Sequence, residues 1–345
     1  MGAKEGTILV TGGAGYIGSH VVRQLGEQGE RVLVLDNLST GHAQAVLHGQ
    51  LVIGDVGDRA LLRQLLGRHR IDTVMHFAAN TVVPESVRDP LKYYGNNAAN
   101  THCLLEACQG AGVRHFVFSS TAAVYGGARQ GIVDETTPVA PITPYGASKL
   151  MSEWMLRDLA SASPLRHVTL RYFNVAGNDP LGRLGQDSPE ATLLIKVACQ
   201  AAAGKRPRVE IFGTDYPTED GTCVRDYIHV EDLALAHIKA LDYLRAGGES
   251  TTLNCGYGHG YSVRQVLDAV AAVSGKPLPT VERPRRPGDP SALVADAARI
   301  RRTLNWRPCH DDLHFIIRTA LDWELRGWPA PPIPAQQSAM AARSH

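Results

Sequence analysis

A tyrosine and a lysine four residues apart are the pair in this sequence with the clearest chemical potential. Tyr145 and Lys149 lie in the segment Thr143-Pro144-Tyr145-Gly146-Ala147-Ser148-Lys149. The proline suits a helix start, and residues four apart share one helical face, so the phenol and the ammonium should lie side by side. The ammonium would stabilise a phenolate and lower the tyrosine pKa from about 10, which makes the phenol a candidate base. The same spacing also occurs on solvated helices without a catalytic role, so neighbouring segments must decide.

A glycine-rich turn near the N-terminus predicts a pyrophosphate site. The strand-like residues 7–10 run into a turn that contains Gly12, Gly15 and Gly18, and an amphipathic segment follows over residues 19–28. Glycines lack a Cβ, so the turn can be tight and the helix N-terminus can face the anion. A strand, a glycine turn and a helix in this order predict dinucleotide binding, against the alternative of a plain turn.

The next strand-like segment supports this interpretation and indicates which dinucleotide binds. Residues 31–35 form a strand-like segment, apolar after Arg31, that ends at Asp36. A carboxylate at this position accepts hydrogen bonds from the adenosine ribose and repels a 2′-phosphate. The sequence therefore predicts NAD rather than NADP as the cofactor.

Alternating strand and helix patterns predict a parallel sheet. Strand-like residues 51–53 and 73–77 flank a helical segment over residues 58–68, and such alternation is typical of βαβ units. Asp55 could bind the adenine amino group or could cap the following helix. His76 is interpreted as a core histidine.

Polar residues follow later strand and helix patterns. Ser120 and Thr121 follow the strand-like residues 116–118, where ligands bind in such folds, so both could donate to a substrate oxygen unless they only form a turn. A helix is predicted over residues 90–111, and Asn96 within it could face the cofactor or the solvent.

Composition limits the classes of protein and partner. The chain has 345 residues, of which 44% are hydrophobic, with 35 basic and 34 acidic residues. No basic stripe is present for nucleic acid, and no apolar segment reaches membrane-spanning length. Six cysteines without Cys-x-x-Cys spacing indicate reduced thiols and a cytoplasmic location. No metal site is expected.

The predicted fold class is α/β, with a Rossmann doubly wound parallel sheet and a smaller C-terminal α/β substrate lobe. The NAD-binding lobe is predicted over residues 1–176, with residues 227–256 returning to it. Residues 177–226 and 257–328 should form the substrate-binding lobe. Residues 329–345 are rich in Pro, Ala and Gln and should be disordered.

These motifs together resemble the extended short-chain dehydrogenases/reductases that act on nucleotide sugars. The resemblance rests first on the glycine turn, Asp36, Ser119-Ser120-Thr121 and Tyr145-x-x-x-Lys149. Later segments are similar to the UDP-sugar 4-epimerase group of that family, and the likeness covers residues 7–327. These segments are Arg171-Tyr172-Phe173-Asn174, residues 212–222, residues 224–230 and residues 284–289.

The resemblance implies an NAD-dependent, reversible 4-epimerisation of UDP-glucose and UDP-galactose through a 4-keto intermediate, in a cytoplasmic homodimer. The alternative is a 4-epimerase of a UDP-N-acetylhexosamine, a UDP-pentose or a UDP-uronate. Tyr145 would be the base, Thr121 would bind the sugar 4-oxygen, and Lys149 would bind the nicotinamide ribose and lower the tyrosine pKa.

The resemblance also implies two sets of binding residues. The expected NAD contacts are Gly12, Gly15, Tyr16, Ile17, Gly18, Asp36, Asn37, Asp55, Val56, Phe77, Ala78, Asn96, Ser119, Tyr145, Lys149 and Phe173. The expected substrate contacts are Thr121, Tyr145, Asn174, Phe212, Arg225, Arg286, Asp289 and Leu293. Within the second set, Asn174, Arg225 and Arg286 would hold the diphosphate, Phe212 would lie near uracil and Asp289 would bind the uridine ribose. Because Arg285 and Arg286 lie in a Pro/Gly loop, simple solvation is the alternative for both.

The sequence departs from the family pattern at three positions. Thr81 and Leu193 replace a lysine and an asparagine that contact NAD and UDP in some members. Leu293 stands where tyrosine often limits the size of the sugar, so a broader substrate range is a hypothesis.

Two rival functions remain open to test. A 4,6-dehydratase would need an acid and a base directly after the threonine, where this chain has Ala122 and Ala123. A non-catalytic NAD-binding regulator would not need Thr121, Tyr145 and Lys149 together.

Overall fold

The structure, a computed structural model, describes residues 6–127, 131–187, 192–286 and 288–328. The predicted disordered tail lies outside the described residues. The helices of the described ranges are α1 (Tyr16–Glu27), α2 (Arg59–Arg68), α3 (Val83–Arg88), α4 (Pro90–Tyr93), α5 (Asn100–Ala111), α6 (Pro144–Ala162), α7 (Leu194–Ala202), α8 (Val230–Arg245), α9 (Val263–Ser274), α10 (Ala298–Leu304) and α11 (Leu313–Arg326). The strands are β1 (Thr7–Thr11), β2 (Val32–Asp36), β3 (Gln50–Ile53), β4 (Ile71–His76), β5 (His115–Thr121), β6 (Ile132–Val133), β7 (Arg166–Tyr172), β8 (Asn174–Ala176), β9 (Val209–Phe212), β10 (Val224–Arg225), β11 (Tyr227–His229), β12 (Thr251–Cys255), β13 (Tyr261–Ser262), β14 (Thr280–Arg283) and β15 (Ala292–Ala295).

The main sheet has seven strands in the order β12-β7-β5-β4-β1-β2-β3, and its paired strands are parallel. From β1 the chain builds β2 and β3 on one side and then returns to build β4, β5, β7 and β12 on the other. The strand order therefore reverses between β1 and β4, and ligands of such sheets bind in the crevice beyond the carboxyl ends of the strands at this point. This confirms the predicted doubly wound parallel sheet.

Helices cover both faces of this sheet. Ile8 and Val10 point into a core shared with α1 and α8, whereas Leu9 between them points into a core shared with α2 and α5. All three side chains are fully buried. Successive residues of a strand face opposite sides, so a strand that is buried on both sides is a continuous apolar run.

Smaller sheets use the segments between and after the main strands. β8 pairs with β11, β9 pairs with β14, and β10 lies between β13 and β15 in a four-stranded sheet that also includes β6. No helix within the described ranges has the length and apolarity needed to cross a membrane.

The helix predicted over residues 90–111 is irregular. A π-helical turn, Tyr94–Ala99, separates α4 from α5. The helix after the glycine turn also differs from its prediction, because it begins at Tyr16 rather than at residue 19.

Candidate active site

A cavity of about 1250 Å³ opens at the carboxyl ends of the main strands and extends to the smaller sheets. This volume exceeds the usual range of single-ligand pockets, which reaches roughly 1,000 Å³. Apart from Ser120, every residue that the sequence analysis assigned to the cofactor or the substrate lines this cavity, as do Thr81 and Leu193. Residues that are far apart in the sequence therefore meet at one site.

The glycine turn forms one wall of the cavity and leads into α1. Gly12 has a φ of 70°, and a Cβ at this position would lie 2.5 Å from the backbone nitrogen of Ala78. A Cβ on Gly18 would lie 2.2 Å from the carbonyl oxygen of Gly12. Gly15 is different, because its added Cβ would contact only that same carbonyl oxygen, at 3.3 Å. The fold itself requires glycine at positions 12 and 18, whereas position 15 is open toward the cavity.

The N-terminus of α1 is suited to an anion. Gly15 is its N-cap residue, and no side chain caps the first turn. The backbone N–H groups of that turn can therefore serve an anionic ligand, which the helix dipole also favours.

Two aspartates lie at the far end of this wall. Asp36 accepts hydrogen bonds from the backbone nitrogens of Ala14 and Leu38, both at 2.9 Å, and is thereby held at the end of β2. Asp55 accepts from the side-chain amides of Asn37 at 2.9 Å and Asn100 at 3.1 Å. Both carboxylates line the cavity.

The alternative role considered for Asp55, capping the next helix, is wrong. Asp58 is the N-cap residue of α2 and accepts from the backbone nitrogens of Ala60 and Leu61, both at 3.0 Å. Asp55 instead closes a turn by accepting from the backbone nitrogen of Gly57 at 2.7 Å.

Helix α6 delivers the tyrosine and the lysine to the centre of the cavity. Thr143 caps this helix by accepting from the backbone nitrogen of Gly146 at 3.2 Å. Tyr145 and Lys149 are 7% and 2% exposed, so both polar groups are withdrawn from bulk water. The Lys149 ammonium donates to the Ser119 carbonyl oxygen at 2.9 Å and lies 5.0 Å from the centre of the Phe118 ring.

Thr121 completes this group from the end of β5. Its hydroxyl interacts with the Tyr145 phenol, and this interaction lowers the pKa of Tyr145. The Thr121 Oγ also accepts from the backbone nitrogen of Ala123 at 3.1 Å, which fixes the threonine rotamer. The structure therefore brings together the three residues predicted to carry the chemistry.

Burial dominates the titration of this group. Burial raises the pKa of Tyr145, and the interaction with the Thr121 hydroxyl lowers it by a smaller amount. Burial also lowers the pKa of Lys149 to about 7, although the Glu153 carboxylate raises it. Without a further positive charge near the phenol, Tyr145 is protonated at neutral pH.

Ser120 does not have the role predicted for it. It is fully buried and donates to Glu153 Oε1 at 2.5 Å, so it cannot reach a substrate oxygen. Successive side chains of a strand point to opposite faces, and Ser119 and Thr121 share the face toward the cavity while Ser120 points away from it.

The π-helical turn presents Asn96 to the cavity. The neighbouring Asn97 is buried and is bound by residues of distant segments. Its side chain accepts from the Asn80 backbone nitrogen at 2.8 Å and donates to Ser148 Oγ at 3.1 Å. Asn97 thus ties the turn to the helix of Tyr145, a role that the sequence analysis missed.

The core histidine prediction is confirmed by the contacts of His76. It is 2% exposed, and burial lowers its pKa to about 3, so it is neutral. Hydrogen bonds of 2.6 Å to Thr11 and 2.9 Å to Thr101 join it to β1 and α5.

The other half of the cavity carries positive charge. Arg225 lies 3.6 Å from Asp289, and its guanidinium also donates to the Pro290 carbonyl oxygen at 2.9 Å. Arg286 lies 3.8 Å from the centre of the Phe212 ring, in cation–π geometry. Two arginines from separate segments at one site suit a diphosphate, which takes charge-assisted bonds from guanidinium groups.

The two adjacent arginines have different positions. Arg285 is paired with Asp215 at 2.7 Å and lies over the Tyr216 ring, away from the cavity lining, whereas Arg286 lines the cavity. Asn174 is the first residue of β8, and its side-chain amide donates to the Asp226 carbonyl oxygen at 3.1 Å.

Several described residues that line the cavity were missed by the sequence analysis. Tyr172 lies within a motif that was noted, and its hydroxyl shares a 2.5 Å hydrogen bond with Ser119. No sequence signal distinguished the polar residues Asn80, Gln186, Arg206 and Arg208, which also line the cavity.

The comparisons with known proteins agree with this geometry. Residues 8–256 match the model of the NAD dependent epimerase/dehydratase family. The chain belongs to this family. It is 57% identical over 323 residues to the UDP-glucose 4-epimerase of Azospirillum brasilense, with 93% of each chain covered.

Two solved epimerases of this family have the same fold. The UDP-glucose 4-epimerase of Brucella ovis in complex with NAD superposes with a TM-score of 0.90 at 45% identity, covering 93% of this chain and 98% of that one. The UDP-Glc/GlcNAc 4-epimerase of Campylobacter jejuni superposes with a TM-score of 0.82 at 50% identity, covering 92% and 99%.

The residues of this chain fit the cofactor of the family. The uncapped N-terminus of α1 and the open position at Gly15 leave room for a pyrophosphate. Asp36 is held at the end of β2 beside the glycine turn, and Lys149 lies one helical turn after Tyr145 on α6. No group of His, Cys, Asp or Glu within the described ranges is arranged to hold a metal ion.

Proposed function

We propose that the protein interconverts UDP-glucose and UDP-galactose by inverting carbon 4 of the sugar through a 4-keto intermediate. The observation that carries this proposal is the meeting of Thr121, Tyr145 and Lys149 in one cavity whose other half holds Arg225 and Arg286. The first group suits proton transfer at a sugar hydroxyl, and the two arginines suit a diphosphate.

NAD would lie along the glycine turn. The N-terminus of α1 would bind its pyrophosphate, Asp36 its adenosine ribose and Lys149 its nicotinamide ribose. When bound, NAD supplies the hydride chemistry at carbon 4 and a positive charge close to Tyr145.

Tyr145 would move the proton of the 4-hydroxyl. Its pKa is raised by burial in the protein alone, so the phenolate needs the nearby charges to form. As phenolate, the side chain removes the proton from the 4-oxygen when the ketone forms, and as phenol it returns the proton when the alcohol is restored. Thr121, which lines the same cavity, would orient the 4-oxygen toward the Tyr145 phenol.

The diphosphate residues would hold the UDP while the sugar turns. Epimerisation requires the two faces of the keto sugar to be presented in succession at one fixed centre. Arg225 and Arg286, which belong to different segments, can grip the diphosphate from two sides, so the hexose can rotate about its linkage without leaving.

A second candidate substrate class is the UDP-N-acetylhexosamines. Leu293 is 9% exposed and lines the cavity, where it occupies less volume than a tyrosine would. The similar protein of Campylobacter jejuni is described as a UDP-Glc/GlcNAc 4-epimerase. Leu293→Tyr should preserve turnover of UDP-galactose and reduce turnover of UDP-N-acetylglucosamine at least tenfold. If the unaltered protein leaves the N-acetylated sugar unconverted at high enzyme concentration, this extension is wrong.

We further propose a cytoplasmic homodimer that serves galactose metabolism. The exposed apolar side chains Val87, Leu91, Met151 and Trp154 on the neighbouring helices α3, α4 and α6 support a contact between copies. Light scattering would give the mass of the particle, and a monomer at micromolar concentration would contradict the proposal.

The decisive experiment is to incubate the purified protein with UDP-galactose without added NAD and to separate the sugar products. An epimerase that retains its cofactor should form UDP-glucose until a fixed ratio is reached. Tyr145→Phe should retain the fold and bind both ligands but lose at least a hundredfold in kcat. A dehydrogenase would instead consume external NAD, and a non-catalytic regulator would give no product.

A further inference from the structure

A buried carboxylate outside the cavity contacts the segments that carry the reactive groups. Glu153 follows Lys149 by one turn of α6 and is 6% exposed. Its Oε1 accepts from Ser120 Oγ at 2.5 Å and from Arg171 Nε at 3.0 Å, and its Oε2 accepts from Arg171 Nη2 at 2.6 Å. None of these three described side chains lines the cavity.

Arg171 extends the contacts of Glu153 to other elements. Its Nη1 donates to the Tyr125 hydroxyl at 3.1 Å, and the guanidinium lies 5.1 Å from the centre of the Tyr125 ring. The Tyr125 hydroxyl in turn donates to Asn254 Oδ1 at 2.7 Å. One hydrogen-bonded network therefore joins β5, α6, β7, β12 and the turn after Thr121.

This network fixes two catalytic segments against each other. Ser120 immediately precedes Thr121 at the end of β5, and Glu153 lies on the helix of Tyr145. The hydrogen bond between Ser120 and Glu153 therefore fixes the position of β5 relative to α6, next to Thr121 and the Tyr145 phenol. A displacement of reacting groups by about 1 Å can cost about a hundredfold in rate.

Glu153 also supplies negative charge near Lys149. The other titratable group whose charge interacts with the ammonium is His76 on β4, and Tyr145 lies one helical turn before Lys149 on α6. His76 is neutral because burial lowers its pKa to about 3, and Arg171 is paired with Glu153. Burial lowers the pKa of Lys149 to about 7, and the negative charge of Glu153 raises it. The Glu153 carboxylate is therefore the group that favours the protonated lysine.

We propose that Glu153 is a positioning residue for the reaction: it ties the end of β5 to α6 and places a carboxylate one helical turn from the Lys149 ammonium. This inference rests on the proposed function for its effect on turnover. Its effect on Lys149 can be measured without any turnover.

A purely structural role predicts a different result. A buried ion pair such as Arg171 and Glu153 is costly to desolvate and is weak evidence for a stabilising purpose. If stability were its only role, a substitution at Glu153 would lower the unfolding temperature but leave the titration of Lys149 unchanged.

The experiment compares Glu153→Gln with Asp158→Asn. Asp158 is an exposed carboxylate on the same helix, paired with Arg157 at 2.8 Å, so its substitution removes the same charge away from the network. The chain contains seven lysines, so ¹³Cε-labelled lysine gives a simple spectrum in which Lys149→Arg identifies the Lys149 signal. Each protein is titrated as purified, and kcat and KM for UDP-galactose are measured over the same pH range.

In Glu153→Gln, we expect the Lys149 titration midpoint to fall by about one pH unit, which is a tenfold change in its proton affinity. The kcat at neutral pH should fall about tenfold with KM changed less than threefold, and the alkaline limb of the pH profile should move to lower pH. Asp158→Asn should change none of these. An unchanged Lys149 midpoint in Glu153→Gln, or an equal shift in Asp158→Asn, would overturn the proposal.

Two further measurements cover the cases in which Glu153→Gln does not fold or the unaltered protein is inactive. If Glu153→Gln does not fold, Ser120→Ala retains the ion pair and removes only the bond to β5. It should lower kcat three- to tenfold at unchanged KM, and a normal kcat would refute the tie between β5 and α6. If the unaltered protein has no epimerase activity, the proposed function fails, while the lysine titration still decides whether Glu153 acts on Lys149.

Discussion

Gly15 offers a substitution that separates dinucleotide binding from folding. Its φ of −80° is ordinary for alanine, and an added Cβ would contact only the Gly12 carbonyl oxygen, at 3.3 Å. A shift of a few tenths of an ångström relieves that contact. We therefore expect Gly15→Ala to change the free energy of unfolding by no more than about 0.5 kcal/mol.

The same methyl group should have a large effect on the cofactor. Gly15 lines the cavity at the uncapped N-terminus of α1, so the methyl would occupy space that a pyrophosphate needs in order to reach the backbone N–H groups. A hydrogen bond to a charged group contributes about 1.5–3 kcal/mol. The loss of one such bond weakens NAD binding by about 10- to 150-fold.

The assay compares Gly15→Ala with Gly18→Ala. NAD content after purification and the Kd for added NAD report binding, and thermal unfolding reports the fold. A Cβ on Gly18 would lie 2.2 Å from the Gly12 oxygen and 2.9 Å from Gly13 Cα, both backbone atoms, so this variant should be destabilised by about 3 kcal/mol or more. If Gly15→Ala retains NAD like the parent, or unfolds as early as Gly18→Ala, the division of roles within the turn is wrong.

Three further predictions follow from described contacts. Asp36→Asn removes the charge that repels a 2′-phosphate, and its single amide oxygen can still accept from the backbone nitrogen of either Ala14 or Leu38, but not from both. The preference for NAD over NADP should fall at least fivefold, as measured by competition binding. Gly67→Ala, on an exposed turn of α2 with nothing within 4 Å of the added Cβ, should raise the free energy of unfolding by about 0.5–1 kcal/mol in urea titrations. Buried histidines should make the fold acid-sensitive, because burial lowers their pKa and the unfolded state therefore binds more protons. The stability that they contribute is present above about pH 6.5 and is lost as the pH falls toward their folded-state pKa values. The loss is about 1.4 kcal/mol per pH unit for each histidine. These histidines, with pKa values of about 3 or 4, are His76, His167, His229 and His237, and a flat urea midpoint between about pH 6.5 and 4.5 would contradict their contribution.

The parts of the fold that depend on local pattern could be predicted from the sequence. β1 is a continuous apolar run because both of its faces are covered, and the glycine turn follows it because the fold allows no Cβ at Gly12 and Gly18. Residues at the carboxyl ends of parallel strands converge on one crevice, so placing Asp36 and Thr121 at strand ends also placed them at one site.

The parts that depend on distant partners could not be predicted. The π-helical turn is held by Asn97 through Asn80 and Ser148, and no local preference indicates those contacts. The pairing of Glu153 with Arg171 likewise becomes visible only when α6 packs on β7. The orientation of Ser120 can be predicted from the sequence, because successive residues of a strand point to opposite faces of the sheet. Ser120 therefore points away from the face that Ser119 and Thr121 share.

The edge strand β12 has a consequence for how the molecule is made. Its residues, Thr251–Cys255, pair with β7, although four short strands, β8 to β11, and the helices α7 and α8 lie between them in the sequence. When only the first 250 residues have left the ribosome, one edge of β7 is unpaired. Its free backbone N–H and C=O groups can then pair with other nascent chains. Chains truncated just before Thr251 should therefore aggregate more during synthesis than chains truncated just after Cys255, as sedimentation of translation products would measure.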